Sequence, residues 1–466
     1  AQAQGALTST LAFRPPPQKA SDAMKVACLL AAVLARAEGE FTCERFGACG
    51  VREEEGNALL HTNMLNIHKA NSTSKHSAKH QLMNFEHPPA NYAFDQYIKD
   101  FGKDYKKDSK EYSERKATFE KSLKAVQEHN TDATSTYKLG LNVYSDWSAQ
   151  ELKGLRGLKK MAGGREASAF KLGGLHLERN TGDYPKSVDW RTAGVVTPAK
   201  NQGHCGSCWA FATTGVVESH SAIYSGVLLV LSPGQLVSCA ENPDHCGGTG
   251  GCDGSTAEIA MDYIKDKGMV EEEVIPYENF FGEDVPCTPE MAMKASMYQT
   301  VSITGWVKTT TNSAADVFAA IVNYGPLAIS VDASNWSPYS SGVMNPCDLS
   351  KDPNMNVDID HAVVLVGYGE EGGGTFSTAV KYWLVRNSWG ATWGEHGYIR
   401  LAREYDGKND DEYCGMDNTP HHGSACEAEP DTPVKVCGVC GILYDVSYPT
   451  GAMVLGVGQG TGAVDR

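Results

Sequence analysis

The sequence lacks a basic excess, a membrane-length apolar run and a compact cluster of metal ligands. Lys and Arg number 41 against 57 Asp and Glu, a net charge of −16. So acidic a chain argues against nucleic acid or an anionic membrane surface as partner. It suits an acidic compartment, where protonated carboxylates repel one another less. The apolar run Val26 to Ala35 is too short to span a bilayer. Two Cys-x-x-Cys pairs, Cys205/Cys208 and Cys437/Cys440, lie more than two hundred residues apart, and Trp209 directly follows Cys208, which disfavours one zinc site. His76 and His80 have an i, i+4 metal spacing but no evident third ligand. Neither a metal nor an organic cofactor is expected.

What is present is a chain of 466 residues, long enough for two or three units. Its 41% hydrophobic and 21% charged residues are those of a soluble globular protein. Fourteen cysteines, most of them after residue 200, point to an oxidising location and a disulfide framework. Met24, Lys25, the apolar run and the small-x-small triplet Ala35-Arg36-Ala37 read as a secretory signal peptide over 24–37. Translation is expected to start at Met24, leaving 1–23 as an upstream extension. Residues 38–90 read as a polar linker with the sequon Asn71-Ser72-Thr73 and five histidines, His61, His68, His76, His80 and His87. These histidines could gain charge on acidification, but a solvated linker is the plainer reading. Asn335-Trp336-Ser337 is a weaker sequon.

The stretch Gln202 to Phe211 carries the chemistry. Gly206 and Ser207 make a small-residue turn, and the apolar run Trp209 to Val217 reads as a buried helix beginning at Cys208. A thiol there meets unpaired backbone N–H groups, which favour the thiolate. Gln202 is near enough to fold its amide back as an oxyanion donor. A nucleophile, a donor and a rigid helix are the parts of a covalent hydrolase. By itself a Cys-x-x-Cys also allows structural, redox or metal roles.

The whole string Gln202-Gly-His-Cys-Gly-Ser-Cys-Trp-Ala-Phe211 resembles the active-site segment of papain-like cysteine proteases. Upstream, Phe94, Tyr97, Phe101 and Tyr105 recur at helical spacing, and Glu111, Arg115, Phe119, Ser122, Val126 and Asn130 share one helical face. That face resembles the E-R-F-N-I-N helix of cathepsin L-type inhibitory prodomains, with Ser122 for Asn and Val126 for Ile. Gly140-x-Asn142-x-Tyr144-x-Asp146 resembles their G-x-N-x-F-x-D motif, with Tyr for Phe. The resemblance implies an α+β, papain-like two-domain fold: a helical left domain and an antiparallel β-barrel right domain, preceded by a helical inhibitory prodomain. It places the prodomain at 91–155, an activation segment at 156–183, the peptidase domain at 184–449 and a flexible tail at 450–466. A helix over Ser255 to Lys267 and strands over Ala362–Gly367 and Lys381–Arg386 agree with it.

His361, in Asp360-His-Ala-Val-Val-Leu-Val-Gly-Tyr368, and Asn387, in Arg386-Asn-Ser-Trp-Gly390, resemble the family's other catalytic motifs, with Trp393-Gly394 following. The resemblance implies a Cys208–His361 thiolate–imidazolium pair, a ring oriented by Asn387, Trp389 shielding that contact, and an oxyanion hole from Gln202 and the Cys208 N–H. Gly251-Cys-Asp-Gly254-Ser resembles the family's G-C-N-G-G substrate wall, with Ser255 narrowing its S3 side. Thr256, Ala257, Ser330, Ala362 and Asp445 are implied to line S2, and Trp393 to meet substrate. Asp445 at the S2 floor is expected to admit Arg at P2 through a bidentate pair, the alternative being a solvent-facing carboxylate. Implied disulfides are Cys205–Cys252, Cys239–Cys287 and Cys347–Cys440. Cys246, Cys414, Cys426 and Cys437 are left to any of three connectivities. The insertion bearing Cys414, His421-His422 and Cys426 reads as loop decoration.

The expected activity is that of an endopeptidase zymogen in the secretory pathway, lysosomal, vacuolar or extracellular. It would be monomeric, with protein and peptide substrates and its own prodomain as intramolecular inhibitor. Two rivals are a catalytically silent peptide-binding homologue, disfavoured by intact Cys208, His361 and Asn387, and a prodomain released as an inhibitor of related proteases.

Overall fold

The computed structural model describes residues 85–157, 184–352, 354–374, 377–404, 413–423 and 425–455. These all belong to the unit that begins at Ser77. The expected signal peptide, the extension before it, most of the histidine-rich linker and all but the first two residues of the activation segment lie outside the described residues.

The N-terminal domain is built on helices Phe94–Asp100 and Lys110–Asn130, the second capped by Ser109, whose Oγ accepts from the Tyr112 N–H. Phe119 and Val126, on the face that the spacing predicts, pack with Tyr92, Phe94, Tyr97 and Leu141 in a core of their own. Asn130 ends that face by donating to the carbonyls of Glu86 and Leu139, at 2.6 and 2.7 Å. The domain therefore begins before residue 91: Phe85 and Leu141 exchange backbone hydrogen bonds of 2.9 Å, which draws 85–90 out of the linker.

In the larger domain, helices Cys208–Ser225, Pro233–Cys239, Ala257–Lys267 and Pro289–Met297 form one lobe. The first is apolar on all sides and buried from Cys208 to Ala222, as a central helix must be. It stops at Gly226, whose φ of 73° only glycine adopts readily.

The other lobe is a nine-stranded sheet. Eight strands run in the order Tyr137–Leu139, Tyr339–Met344, Tyr398–Ala402, Ser377–Arg386, His361–Gly374, Leu327–Val331, Asp445–Thr450 and Gly305–Lys308. The ninth, Val188–Asp189, pairs with His361–Gly374. Neighbours are antiparallel except for the parallel contact of Val343 and Met344 with Arg400 and Leu401. The edge strand Tyr137–Leu139 comes from the N-terminal domain, so the two domains share one sheet.

All three disulfides carried over from the resemblance are present, and the remaining four cysteines pair as Cys246–Cys426 and Cys414–Cys437. The insertion is more than decoration. Cys426 ties it to the helical lobe, where Ala425 accepts from Gly247 N–H and Glu427 lies 2.6 Å from His245. The expected flexible tail is also corrected. The last strand runs to Thr450, Gly451 turns the chain at φ 59°, and Met453–Val454 pairs with Val301–Ser302. Residues 456–466 lie outside the described residues. Among the described residues no helix is long and apolar enough to cross a membrane.

Candidate active site

Cys208 begins its helix as the sequence predicts, and it is the free cysteine among the described residues. Its Sγ accepts from the Ala362 N–H at 3.3 Å, which ties the helix head to the strand beginning at His361. On that strand His361 Nε2 meets Asn387 Oδ1 at 2.8 Å, and Trp389 stacks on the imidazole with ring centroids 5.1 Å apart. The Asn387 oxygen also accepts from the Ser388 N–H, so its amide is fixed and Nε2 carries the ring proton. This leaves Nδ1, which has no hydrogen-bond partner, as the nitrogen available to the thiol.

Gln202 is held by two contacts. Ser388 Oγ donates to its Oε1 at 2.5 Å, and its Nε2 donates to Cys205 O at 2.8 Å. The same Nε2 donates at 2.8 Å to the carbonyl of Leu155, and the Gly157 N–H donates to Cys208 Sγ at 3.2 Å. The end of the N-terminal domain thus lies across the nucleophile. A Cβ on Gly254, at φ 97°, would meet Gly157 O at 1.8 Å, and one on Gly157 would meet Gly206 O at 1.9 Å. Both glycines are needed for so close a passage.

The expected ion pair of Cys208 and His361 is not found in this covered state. Burial pushes the thiol up to about 11, against the N–H groups of Ala362, Gly157 and Trp209, which pull it down. Burial likewise lowers the imidazole to about 4, against the hydrogen bond that its Nε2–H donates to Asn387. A dry site favours the neutral forms of both groups, outweighing the helix terminus.

The cover is braced by the motif residues of the N-terminal domain. Arg115 makes a bidentate pair with Glu151 at 2.6 and 2.7 Å, and Glu111 stands 3.9 Å from it. Asp146 accepts from Tyr97, Lys103 and Tyr105 at 3.1, 2.9 and 2.7 Å. Asn142 donates to Ser337 O and Gly140 to Pro338 O, fastening the loop to the larger domain. The Tyr144 hydroxyl donates to Trp389 O, and Trp147 stacks on His204.

Two substrate-side expectations change. Trp393 is fully buried among Trp336, Tyr339 and Trp389, and donates to Ser337 O, so it supports the site rather than facing substrate. Asp445 is neither solvent-facing nor uncommitted. Ser330 Oγ donates to it at 2.6 Å and Lys308 Nζ stands 2.5 Å away, with Glu258 at 4.0 Å from the same ammonium. Burial opposes ionisation of Asp445, but Lys308 and Ser330 hold its carboxyl below the usual range, whereas burial and the Asp445 charge raise Glu258. Ser255 is buried with its hydroxyl unpartnered, Thr256 directly precedes the helix starting at Ala257 without a side-chain cap bond, and Ala362 directly opposes Ser330 across the sheet. Nothing in the sequence signalled Lys308, Ser388 or the Leu155–Gly157 contacts, because each depends on approach of distant strands or domains.

A protease carrying its own cover is the class that this architecture defines. Comparison with known proteins agrees: residues 184–423 match the papain family of cysteine proteases, and residues 94–152 the cathepsin propeptide inhibitor domain I29. The chain belongs to the papain family. Procathepsin L of Mus musculus is 36% identical over 309 residues, 65% of this chain and 83% of that one. Pro-cathepsin H of Mus musculus is 36% identical over 344 residues, 73% and 90% of the two chains. Among solved structures, digestive procathepsin L2 proteinase from the Tenebrio molitor larval midgut aligns with a TM-score of 0.57 at 29% identity, over 76% of this chain and 98% of that one.

Proposed function

We propose that this chain is an endopeptidase zymogen in which Cys208 is the nucleophile, His361 the proton carrier and Asn387 the residue that orients the ring. The observation carrying this reading is the passage of Leu155–Gly157, which engages both Gln202 and Cys208. Leu155 puts its carbonyl on the oxyanion donor, but the sulfur receives an amide N–H instead of a carbonyl carbon. Bound in that manner the segment inhibits and is not cut.

Once the segment leaves, water returns to the site and the penalty on charge falls. Cys208 then passes its proton to Nδ1 of His361, and the thiolate attacks the scissile carbonyl. The carbonyl oxygen gains negative charge, which Gln202 Nε2 and the Cys208 N–H stabilise. His361 gives its proton to the departing amine, and then takes one from the water that releases the acyl group. Throughout, the Asn387 oxygen keeps the Nε2 proton directed away from the sulfur. Gly254, whose lack of a Cβ admits Gly157, leaves the same room for the backbone of an extended peptide.

Activation at acidic pH, passage through the secretory pathway, a monomeric state and protein or peptide substrates complete the proposal. Burial of two ionisable catalytic groups supports the first of these, and the signal-like segment 24–37 the second. Stoichiometric alkylation of the activated enzyme with iodoacetamide tests the assignment. The expected result is loss of peptidase activity in proportion to label on Cys208. Full activity with Cys208 fully alkylated contradicts it.

A further inference from the structure

The insertion that bears Cys414, His421 and Cys426 has no part in the proposed acyl transfer, yet it joins the two lobes of the larger domain. Its first half belongs to the sheet lobe. The Val357 N–H donates to Met416 O, and Asp417 accepts from the Ile359 N–H at 3.3 Å. Gly423 lies so close on Ile359 that a Cβ would meet the Ile359 carbonyl oxygen at 1.8 Å. Its second half belongs to the helical lobe. The Gly247 N–H donates to Ala425 O at 3.1 Å and the Glu427 N–H to Asp244 O at 3.3 Å, while Cys426 is bonded to Cys246. Both anchorages are braced: buried His421 meets Glu429 O at 2.7 Å, and Asn242 Nδ2 donates to the carbonyls of Cys246 and Gly248, each at 2.9 Å. Gly423 and Ala425 are two positions apart, so the chain passes from one lobe to the other within about 7 Å.

The crossing has a definite place along the cleft. Ile359, under Gly423, is two residues before His361. Gly247, under Ala425, backs the wall formed by Gly251 to Ser255: a Cβ on Gly254 would meet Gly247 O at 2.3 Å as well as Gly157 O at 1.8 Å. That wall, the S3 side by resemblance, takes the acyl part of a substrate. In the precursor the Gly157 N–H is at the sulfur and its carbonyl is already against Gly254. One extended residue, about 3.3 Å of chain, thus separates the nucleophile from the wall that Gly247 backs. A substrate residue at the sulfur and a second along the wall leave the third where Ala425 and Glu427 are held.

We propose that this insertion bounds the acyl side of the cleft as a strap, with Ala425, Cys426 and Glu427 as its specificity-determining residues. Two residues before the scissile bond fit, and longer acyl sides meet the strap. In a cleft open at that end, added residues contribute contacts and raise kcat/KM; here a covalently held segment opposes them. The Cys246–Cys426 bridge limits how far the strap yields. The inference rests on the peptidase reading above and narrows it, since the bonds cut fastest are those near the amino end of a peptide.

The test uses the activated enzyme and internally quenched, amino-acetylated peptides that share one cleaved bond and have either two or five residues before it. Acetylation removes the amino-terminal charge as a variable, and mass spectrometry verifies the bond cut and the intact Cys246–Cys426 bridge. The expected kcat/KM is about tenfold higher for the short acyl side, the scale on which a pocket wall rejects an added group. In the double variant Cys246→Ser/Cys426→Ser that ratio falls at least threefold. A native ratio of threefold or less, or a smaller fall in the variant, overturns the proposal. Should the double variant not fold, a dipeptidyl chloromethyl ketone carrying benzophenone on its amino end is attached to Cys208 of the native enzyme and irradiated. Cross-links within 419–429 support the proposal, and cross-links confined to other residues overturn it. Absence of cleavage of every peptide, with no labelling of Cys208 by the ketone, strikes instead at the peptidase reading.

Discussion

Acidification loosens the covering segment through His361, and the size of the effect follows from its surroundings. With the segment docked, burial lowers the imidazole to about 4. With the segment lifted and water admitted, its ordinary value of about 6.5 applies. The docked state thus binds the proton more weakly than the open one. Docking is at full strength above pH 6.5, weakens as pH falls, and loses nothing more below about 4. Between pH 7.5 and 5 the loss is about 2 kcal/mol, a thirtyfold shift towards the open state. His204, whose pKa is also lowered by burial and whose ring stacks on Trp147, acts in the same direction. Glu151 acts in the same direction, at lower pH. Burial works against its charge, but Arg115 and Ser148 hold it below its usual value, so its contribution is present above pH 4.5 and lost further into acid. The assay is hydrogen exchange at the Leu155–Gly157 amides of a Cys208→Ser precursor, which cannot process itself. The expected protection factor drops about thirtyfold from pH 7.5 to 5, and His361→Ala removes most of that drop. A change below threefold, or one that His361→Ala leaves whole, rules out His361 as the group that loosens the segment.

Gly157→Val is expected to open the precursor at neutral pH, because its Cβ would meet Gly206 O at 1.9 Å. Alkylation of Cys208 in the unprocessed protein should become at least tenfold faster, and an unchanged rate counts against the cover. Gln202→Ala should lower kcat by about 10²- to 10³-fold with little change in KM, as for loss of one oxyanion donor; a change confined to KM would assign Gln202 to ground-state binding. Since Lys308 already neutralises Asp445, the native enzyme should prefer Phe over Arg at P2, and Lys308→Met should raise the Arg-Arg to Phe-Arg dipeptide ratio about tenfold. That variant should also be less stable, because the buried Asp445 carboxylate loses the ammonium partner that reaches it from a 39% exposed side chain. A native preference for Arg at P2 would contradict the Lys308–Asp445 pairing.

The segments around Cys208, His361 and Asn387 were legible because backbone position and side-chain role lie in one short string each. The Lys110–Asn130 helix was legible because its six spaced residues face one core. What the sequence did not disclose depends on strand register or on domain docking. Lys308 lies opposite Ser447 across the sheet, two residues from Asp445, a closeness that no local pattern marks. Cys246 and Cys426, 180 residues apart, could equally have paired with Cys414 or Cys437 until the insertion was seen to reach the helical lobe. Phe85 gave no sign of joining Leu141, and Thr450 to Val454 looked like a Gly-rich tail before pairing with Val301 and Ser302 was known. The neutral forms of Cys208 and His361 in the covered precursor were not legible for a related reason: a helix terminus is visible in sequence, but the exclusion of water by another domain is not.

In the proposed zymogen, residues 85–157 hold a competent Cys208–His361–Asn387 site shut. This is tested most directly by bringing the purified precursor from pH 7.5 to pH 5 while following mass, peptidase activity and Cys208 alkylation together, with Cys208→Ser as control. In the native protein, loss of the N-terminal domain, thiol-dependent activity and alkylation are expected to rise in step, while the control stays intact and inactive. Loss of the domain without thiol-dependent activity, or full activity in the unprocessed precursor, would contradict it.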